Sequence, residues 1–126
     1  MDIAVYPLNF GLRLWGKPNQ FYATSSLLES GVDAHGSVLC KYRDFDMLIW
    51  HSKVSNSYIP SEIQGENGAL VIDHLSVCEQ VIYYPCQGEK RFINIKHNQM
   101  YYQALEFAKL YQQQKIDNKG LEHTLL

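Results

Sequence analysis

The segment that most constrains the fold is Gly65-Glu66-Asn67-Gly68, set between two extended runs in SEIQGENGALVID. Asn-Gly is among the strongest short hairpin signals, because both residues tolerate the positive φ that a tight strand reversal demands. A chain that reverses there lays two strands side by side and antiparallel. The same punctuation recurs along the sequence. Around Gly31-Val32-Asp33, residues 20–30, aromatic, β-branched and small, give way to residues 36–42, where Val38, Cys40 and Tyr42 alternate with Leu39 and Lys41. Residues 47–54 read as a further strand behind the polar loop Arg43-Asp44-Phe45-Asp46. Residues 79–84 and 91–95 supply two more, separated by Pro85-Cys86-Gln87-Gly88, whose Pro and Gly mark a turn.

Helical spacing brackets this meander. In DIAVYPLNFGLRLWGKP the apolar residues Leu8, Leu12 and Trp15 recur on one face, and Pro7 suits a first turn. Gly16 stands where a C-terminal cap is wanted, and Lys17-Pro18 forbids continuation. From Asn98, a natural N-cap, Tyr101, Leu105 and Ala108 form one stripe beside Met100, Ala104, Phe107 and Tyr111. Past Gln114 the chain turns polar and ends on LEHTLL without a closing element, which reads as a cut. No repeat or linker divides the interior. The expectation is one α+β domain over residues 1–126, truncated at both ends: an open, mainly antiparallel sheet of about six or seven strands with helices on one face.

A chain of 126 residues with 46% apolar residues is long enough to bury a core without metals or disulfides. Its net charge of −2, with no basic cluster, favours neither nucleic acid nor anionic lipid as a partner. Three cysteines, Cys40, Cys78 and Cys86, are an odd set without zinc-ligand spacing; they read as small buried apolar residues in a reduced cytoplasmic protein. No apolar run approaches the roughly 20 residues of a membrane span, and Asp2 stands where a signal peptide carries positive charge. His35, His51, His74, His97 and His123 never fall in paired ligand spacing, so no metal is expected. G-x-S-x-G is absent, which leaves hydrolase chemistry unsupported.

Chemistry concentrates on the first helical segment. Asp2 and Tyr6 are four apart and share a face if the helix runs from its start, with Asn9 a turn further on. A phenol serves as proton donor or acceptor, but near neutral pH it needs a neighbouring cation. On spacing alone, a Tyr-Pro at a helix entrance is more often packing than chemistry. Trp50, His51 and Lys53 line a substrate pocket if their strand faces a cleft; sheet packing or an oligomer surface is the alternative reading.

The run MDIAVYPLNFGLRLWGKP resembles the segment of Gfo/Idh/MocA oxidoreductases (glucose-fructose oxidoreductase, inositol dehydrogenase and relatives) in which Asp-x-Gly-x-His or Asp-x-Gly-x-Tyr opens a helix ending in Gly-x-Pro. ATSSLLESGVDAHGSVLCKY is similar to the family's second and third strands, EIQGENGALVI to its hairpin, and MYYQALEFAKL to its amphipathic helix. Four stretches in family order span nearly the whole chain. The resemblance implies that Tyr6 is the proton donor and acceptor on the substrate oxygen and that Asp2 orients the substrate hydroxyl or that phenol. It further implies that Asn9 and Lys53 bind a sugar-, polyol- or diol-like substrate. Two positions depart from the pattern: Ala4 replaces the family's Gly, and Asn9 its second acidic residue.

The family's dinucleotide half is not in this sequence. G-x-G-x-x-G is absent, Gly65 and Gly68 lie between strands, and the Glu-Lys-Pro that carries the family's catalytic Lys does not occur. NAD or NADP is therefore expected in a full-length protein with an N-terminal Rossmann domain, and neither cofactor binding nor catalysis from these residues alone. Trp50, Tyr42, Tyr83, Tyr84 and Phe92 make a bare solvated sheet improbable, and the resemblance implies a homodimer through the open sheet face. Two functional classes remain open: the substrate-binding and dimerisation domain of a dehydrogenase, or a stand-alone binding and dimerisation module without chemistry.

Overall fold

A computed structural model describes residues 3–95 and 99–113. The chain forms two compact units, one running to Ser57 and the other starting at Tyr58. The first holds α1 (Val5–Trp15), β1 (Gln20–Leu27), β2 (Asp33–Lys41) and β3 (Asp46–Ser52). Its three strands pair antiparallel in the order β1-β2-β3. Leu28 and Val32 close the β1–β2 reversal, with Gly31 between them at φ 80°, where a side chain would be strained.

Strand alternation gives this small sheet two different faces. Val38, Cys40 and Ile49 are buried on one, and Leu8 of α1, Met47 and Tyr42 pack against them. Each such aliphatic side chain contributes roughly 1.5–3 kcal/mol when withdrawn from water. Gly11 lets the helix approach, since a Cβ there would stand 2.7 Å from Met47 Sδ. At the far end of α1, Trp15 meets Phe45 edge-on at 5.2 Å, and Tyr42 stacks on Phe45 at 4.6 Å. The Tyr42 hydroxyl donates to the Gly16 carbonyl at 3.1 Å, and burial pushes that phenol's pKa up. Gly16 ends the helix at φ 74° and ψ −160°, a region open almost only to glycine, with its N–H on Leu12 O.

The second unit is a four-stranded antiparallel meander of β4 (Ser61–Gly65), β5 (Gly68–Ile72), β6 (Gln80–Pro85) and β7 (Arg91–Asn94), followed by α2 (Gln99–Gln113). The hairpin forms, but its two turn residues are Glu66 and Asn67, with Gly65 paired to Gly68. Gly68 is needed for a reason beyond the turn: at φ 148°, a Cβ would collide with Tyr84 O and lie 2.9 Å from Pro85 Cα. Backbone of the third strand thus crosses where a side chain would stand. Asn67 O receives both the Cys86 N–H and the Tyr83 hydroxyl, which ties the turn to β6.

Seven strands and two helices make the α+β architecture expected, in two hydrogen-bonded ladders of three and four. The Asn98 cap and everything past Gln113 lie outside the described residues. The apolar stripe of α2 is exposed, with Met100, Phe107 and Tyr111 each more than two-thirds open. Cys40 is buried and its thiol pKa is raised by burial, as a structural cysteine requires. Cys86 corrects the uniform expectation: it is exposed just past β6, where its thiol donates to Glu66 O at 3.3 Å and its N–H to Asn67 O, so it lies beside the β4–β5 turn and not under a strand face.

Candidate functional site

Tyr6 sits in the first turn of α1, which starts at Val5, so the helix does not run from residue 2. Asp2 lies outside the described residues, and its relation to Tyr6 with it. The helical face that turns to the sheet carries buried Ala4, half-buried Leu8 and buried Gly11. Tyr6 falls off that face and is 55% exposed. Asn9 is exposed, and its side-chain amide donates to Val5 O at 3.0 Å, bracing the first turn.

The direction of α1 over the sheet follows from its contacts. Trp15 meets the β2–β3 turn at Phe45, Gly11 lies against Met47 near the start of β3, and Leu8 covers Val38, Cys40 and Ile49. Going back along the helix therefore moves forward along β3. The other end of this sheet is where β3 finishes and β2 begins.

A charged cluster occupies that end. Lys53, one residue past β3, places its ammonium 3.1 Å from Asp33 Oδ1, and its backbone N–H bonds Ala34 O at 2.7 Å. The Lys53 ammonium holds the Asp33 carboxyl down to about 2. His51 presents Nδ1 at 3.7 Å from Asp33 Oδ2, with a side chain only 7% exposed. That nitrogen has no hydrogen-bond partner among the described residues. The imidazole lies across β2 from Gly36, where a Cβ would stand 3.1 Å from Nε2. After Lys53 the chain is bent by Ser52 Oγ, which accepts the N–H groups of Val54 and Ser55.

Of the residues picked out in the sequence, Lys53 comes to this end of the first sheet, while Tyr6 and Asn9 lie on α1. Asp33 and His51 stand beside Lys53 there; Asp33 appeared in the sequence only as a turn residue, and His51, with Trp50 and Lys53, as a candidate pocket residue. The sequence signal for His51 was an imidazole two positions past Ile49, on the same face of the strand, whereas Asp33, of opposite parity to Val38, carried none. Trp50 goes the other way: with Tyr22 and Leu48 it lies on the outward face, each more than half exposed. Among the described residues no three of His, Cys, Asp or Glu converge as a metal site. No helix among them is long and apolar enough to cross a membrane. Gly65 and Gly68 join strand to strand rather than strand to helix, so they do not make the amide cradle that a dinucleotide pyrophosphate needs.

No family model matches the chain. Curated relatives do. It is 44% identical over 123 residues to the uncharacterized oxidoreductase YgjR of Escherichia coli, covering 96% of this chain and 38% of that protein. It is 38% identical over 121 residues to the scyllo-inositol 2-dehydrogenase (NADP(+)) IolU of Bacillus subtilis, covering 94% of this chain and 37% of that one. The chain is similar over nearly its whole length to one part of these two oxidoreductases, and it spans less than two-fifths of their length.

Proposed function

We propose that this chain is the substrate-binding and dimerisation part, C-terminal in the whole protein, of an NAD(P)-dependent dehydrogenase acting on a sugar-, polyol- or diol-like substrate. The observation that carries the reading is the exposed Tyr6 phenol on the first turn of α1, in the same unit as the cluster of Asp33, His51 and Lys53. An oxidoreductase of this class moves a hydride between substrate carbon and nicotinamide while a protein group handles the hydroxyl proton. The residues described here do not form the nucleotide site, and the hydride step belongs to polypeptide outside this sequence.

What these side chains do is handle the oxygen. Tyr6 donates a proton to, or takes one from, the substrate oxygen, and Asp2 orients the hydroxyl or the phenol. Lys53 and Asn9 stand at the edge of the substrate site, and both already make hydrogen bonds within the unit that fix where they point. Support for a hydroxyl-rich substrate comes from this charged and polar end of the sheet and from the printed name of the second relative, an NADP-dependent inositol dehydrogenase. The outward face with Tyr22, Leu48 and Trp50 is the dimer surface, and the working compartment is the cytoplasm.

The test is Tyr6→Phe in the full-length protein, assayed on a panel of inositols, sugars and diols. The reading expects turnover to collapse while dinucleotide affinity stays as it was. Unchanged turnover removes Tyr6 from the mechanism.

A further inference from the structure

We propose that the free edge of β1 is a pairing edge for a second copy of this chain, the two β1 strands running antiparallel about a two-fold axis at Ala23. This contact is separate from the outward face read above as the dimer surface, and it joins such dimers in pairs. Nothing in it depends on Tyr6.

The edge itself is the first observation. β1 stands at one side of the sheet β1-β2-β3, and among the described residues nothing pairs with its outer side. All eight of its residues are exposed, Phe21 to 67% and Tyr22 to 59%. Soluble proteins guard such an edge with charges, proline or short length. The other three edge strands follow that rule: β3 carries Asp46, β4 carries Glu62 and β7 carries Arg91, and β4 and β7 are only five and four residues long. β1 is the longest of the four and contains neither a charge nor a proline. Its one irregularity lies at its end, between Ser26 and Leu27.

The second observation is that the strand complements itself. Residues directly opposed across an antiparallel pair point to the same face, so a two-fold axis normal to the sheet passes through a residue's own rung. The regular stretch runs from Gln20 to Ser26, and Ala23 is its midpoint. With the axis there every regular residue finds a partner; moving it to Tyr22 or Thr24 leaves residues unpaired. Ala23 meets its own copy, Tyr22 meets Thr24 of the second copy, and Phe21 meets Ser25 of the second copy, so large side chains face small ones and an aromatic ring faces a β-branched residue. The two three-stranded sheets become one, with both α1 helices on the same side. Charge agrees with size. Lys17 lies just before β1 and Glu29 just after it, both exposed. The antiparallel arrangement sets each copy's Lys17 end beside the other's Glu29 end, with opposite signs at both ends of the contact. Matches of size and charge within one strand are what self-pairing needs and what a cover of another sequence does not.

The experiment uses the full-length protein in sedimentation velocity over a wide range of concentration. Ala23→Lys sets two ammonium groups opposite each other at the axis, and should weaken one association step at least tenfold while the step that Trp50→Ala weakens stays as it was. Ala23→Ser, which adds no charge, should leave both steps within about threefold. No weakening in Ala23→Lys, or equal weakening in Ala23→Ser, overturns the proposal. A second readout does not depend on affinity. Cys86 is exposed and is first replaced by Ser. In that background Ala23→Cys should form a covalent dimer on mild oxidation, because the two Cβ atoms lie about 4.5–5.5 Å apart, close to disulfide reach. Thr24→Cys, opposed to Tyr22, should not. Equal cross-linking of the two, or none, overturns the pairing. Hydrogen exchange of the wild-type protein tests the other occupant: β1 amides should lose protection on dilution. Protection that dilution leaves unchanged means that polypeptide outside these residues covers the edge, and it too overturns the proposal.

Discussion

Replacing Trp50 with Ala in the full-length protein tests the proposed dimer surface directly. Trp50 lies on the outward face of the first sheet beside Leu48, with Tyr22 two strands away, and is 55% exposed. A Trp side chain offers up to ~250 Å² to a contact, so about 140 Å² remains to be covered. At roughly 25 cal/mol per Å² that is a ceiling of about 3.5 kcal/mol for each copy. A two-fold contact uses the residue twice, and if half the ceiling is realised the dimer loses about 3.5 kcal/mol in all. With each 1.4 kcal/mol worth tenfold, the dimer dissociation constant should rise by about 300-fold. Sedimentation velocity over a thousandfold range of concentration reads that shift. Because Trp50 packs into no core, the unfolding midpoint of the monomer should hardly move. A dissociation constant unchanged within threefold would refute the reasoning, and so would a wild-type protein that stays monomeric throughout.

Tyr6→Phe should cut kcat by about 10²–10⁴, the usual worth of a positioned proton donor, with dinucleotide affinity unaltered in a fluorescence titration. Lys53→Met should return the Asp33 carboxyl from about 2 toward its ordinary 3.8, read by carboxyl ¹³C shifts against pH. The sign follows from linkage: a carboxylate held low stabilises the fold above pH 3.8, and that gain disappears as pH falls toward 2. The Lys53→Met protein should accordingly show less of this pH dependence between those values. Gly68→Ala forces a Cβ against the Tyr84 and Pro85 backbone at a positive φ. It should cost about 2–4 kcal/mol, as overpacking and backbone strain together do, seen as faster hydrogen exchange in β5 and β6.

The fold was legible where one local rule decides the outcome. Gly16 and Pro18 end α1 because only glycine takes the required dihedrals and proline blocks the next turn. Val38 and Cys40 alternate with Leu39 because a strand with one face under a helix must alternate. The Glu66-Asn67 turn was placed one residue late because Gly68 answers two demands at once. Its positive φ resembled a turn requirement, while the close approach of β6, a contact across the sheet, fixes it in place. His51 was legible as a candidate pocket residue but its partners were not, since they are Asp33 some eighteen positions earlier and the missing side chain of Gly36. Such a pairing is set by ladder register, and no single-chain pattern encodes register between strands whose turn length is not known beforehand.

Tyr6 also shows why this chain should be chemically silent alone. A phenol with an ordinary pKa near 10 is a poor base at neutral pH, and a cation close by is the usual remedy. Lys53 Nζ is held 3.1 Å from Asp33, whose negative charge offsets it. On the proposed reading the activating cation comes from outside these residues. Purified chain given NADPH or NADP⁺ and a polyol panel should show no turnover. Adding the nucleotide-binding part of the same protein as a separate polypeptide should bring activity back, and should do so only with Tyr6 intact. Turnover by this chain unaided would mean that Lys53, or another group within it, already activates the phenol, and the division of labour argued here would be wrong.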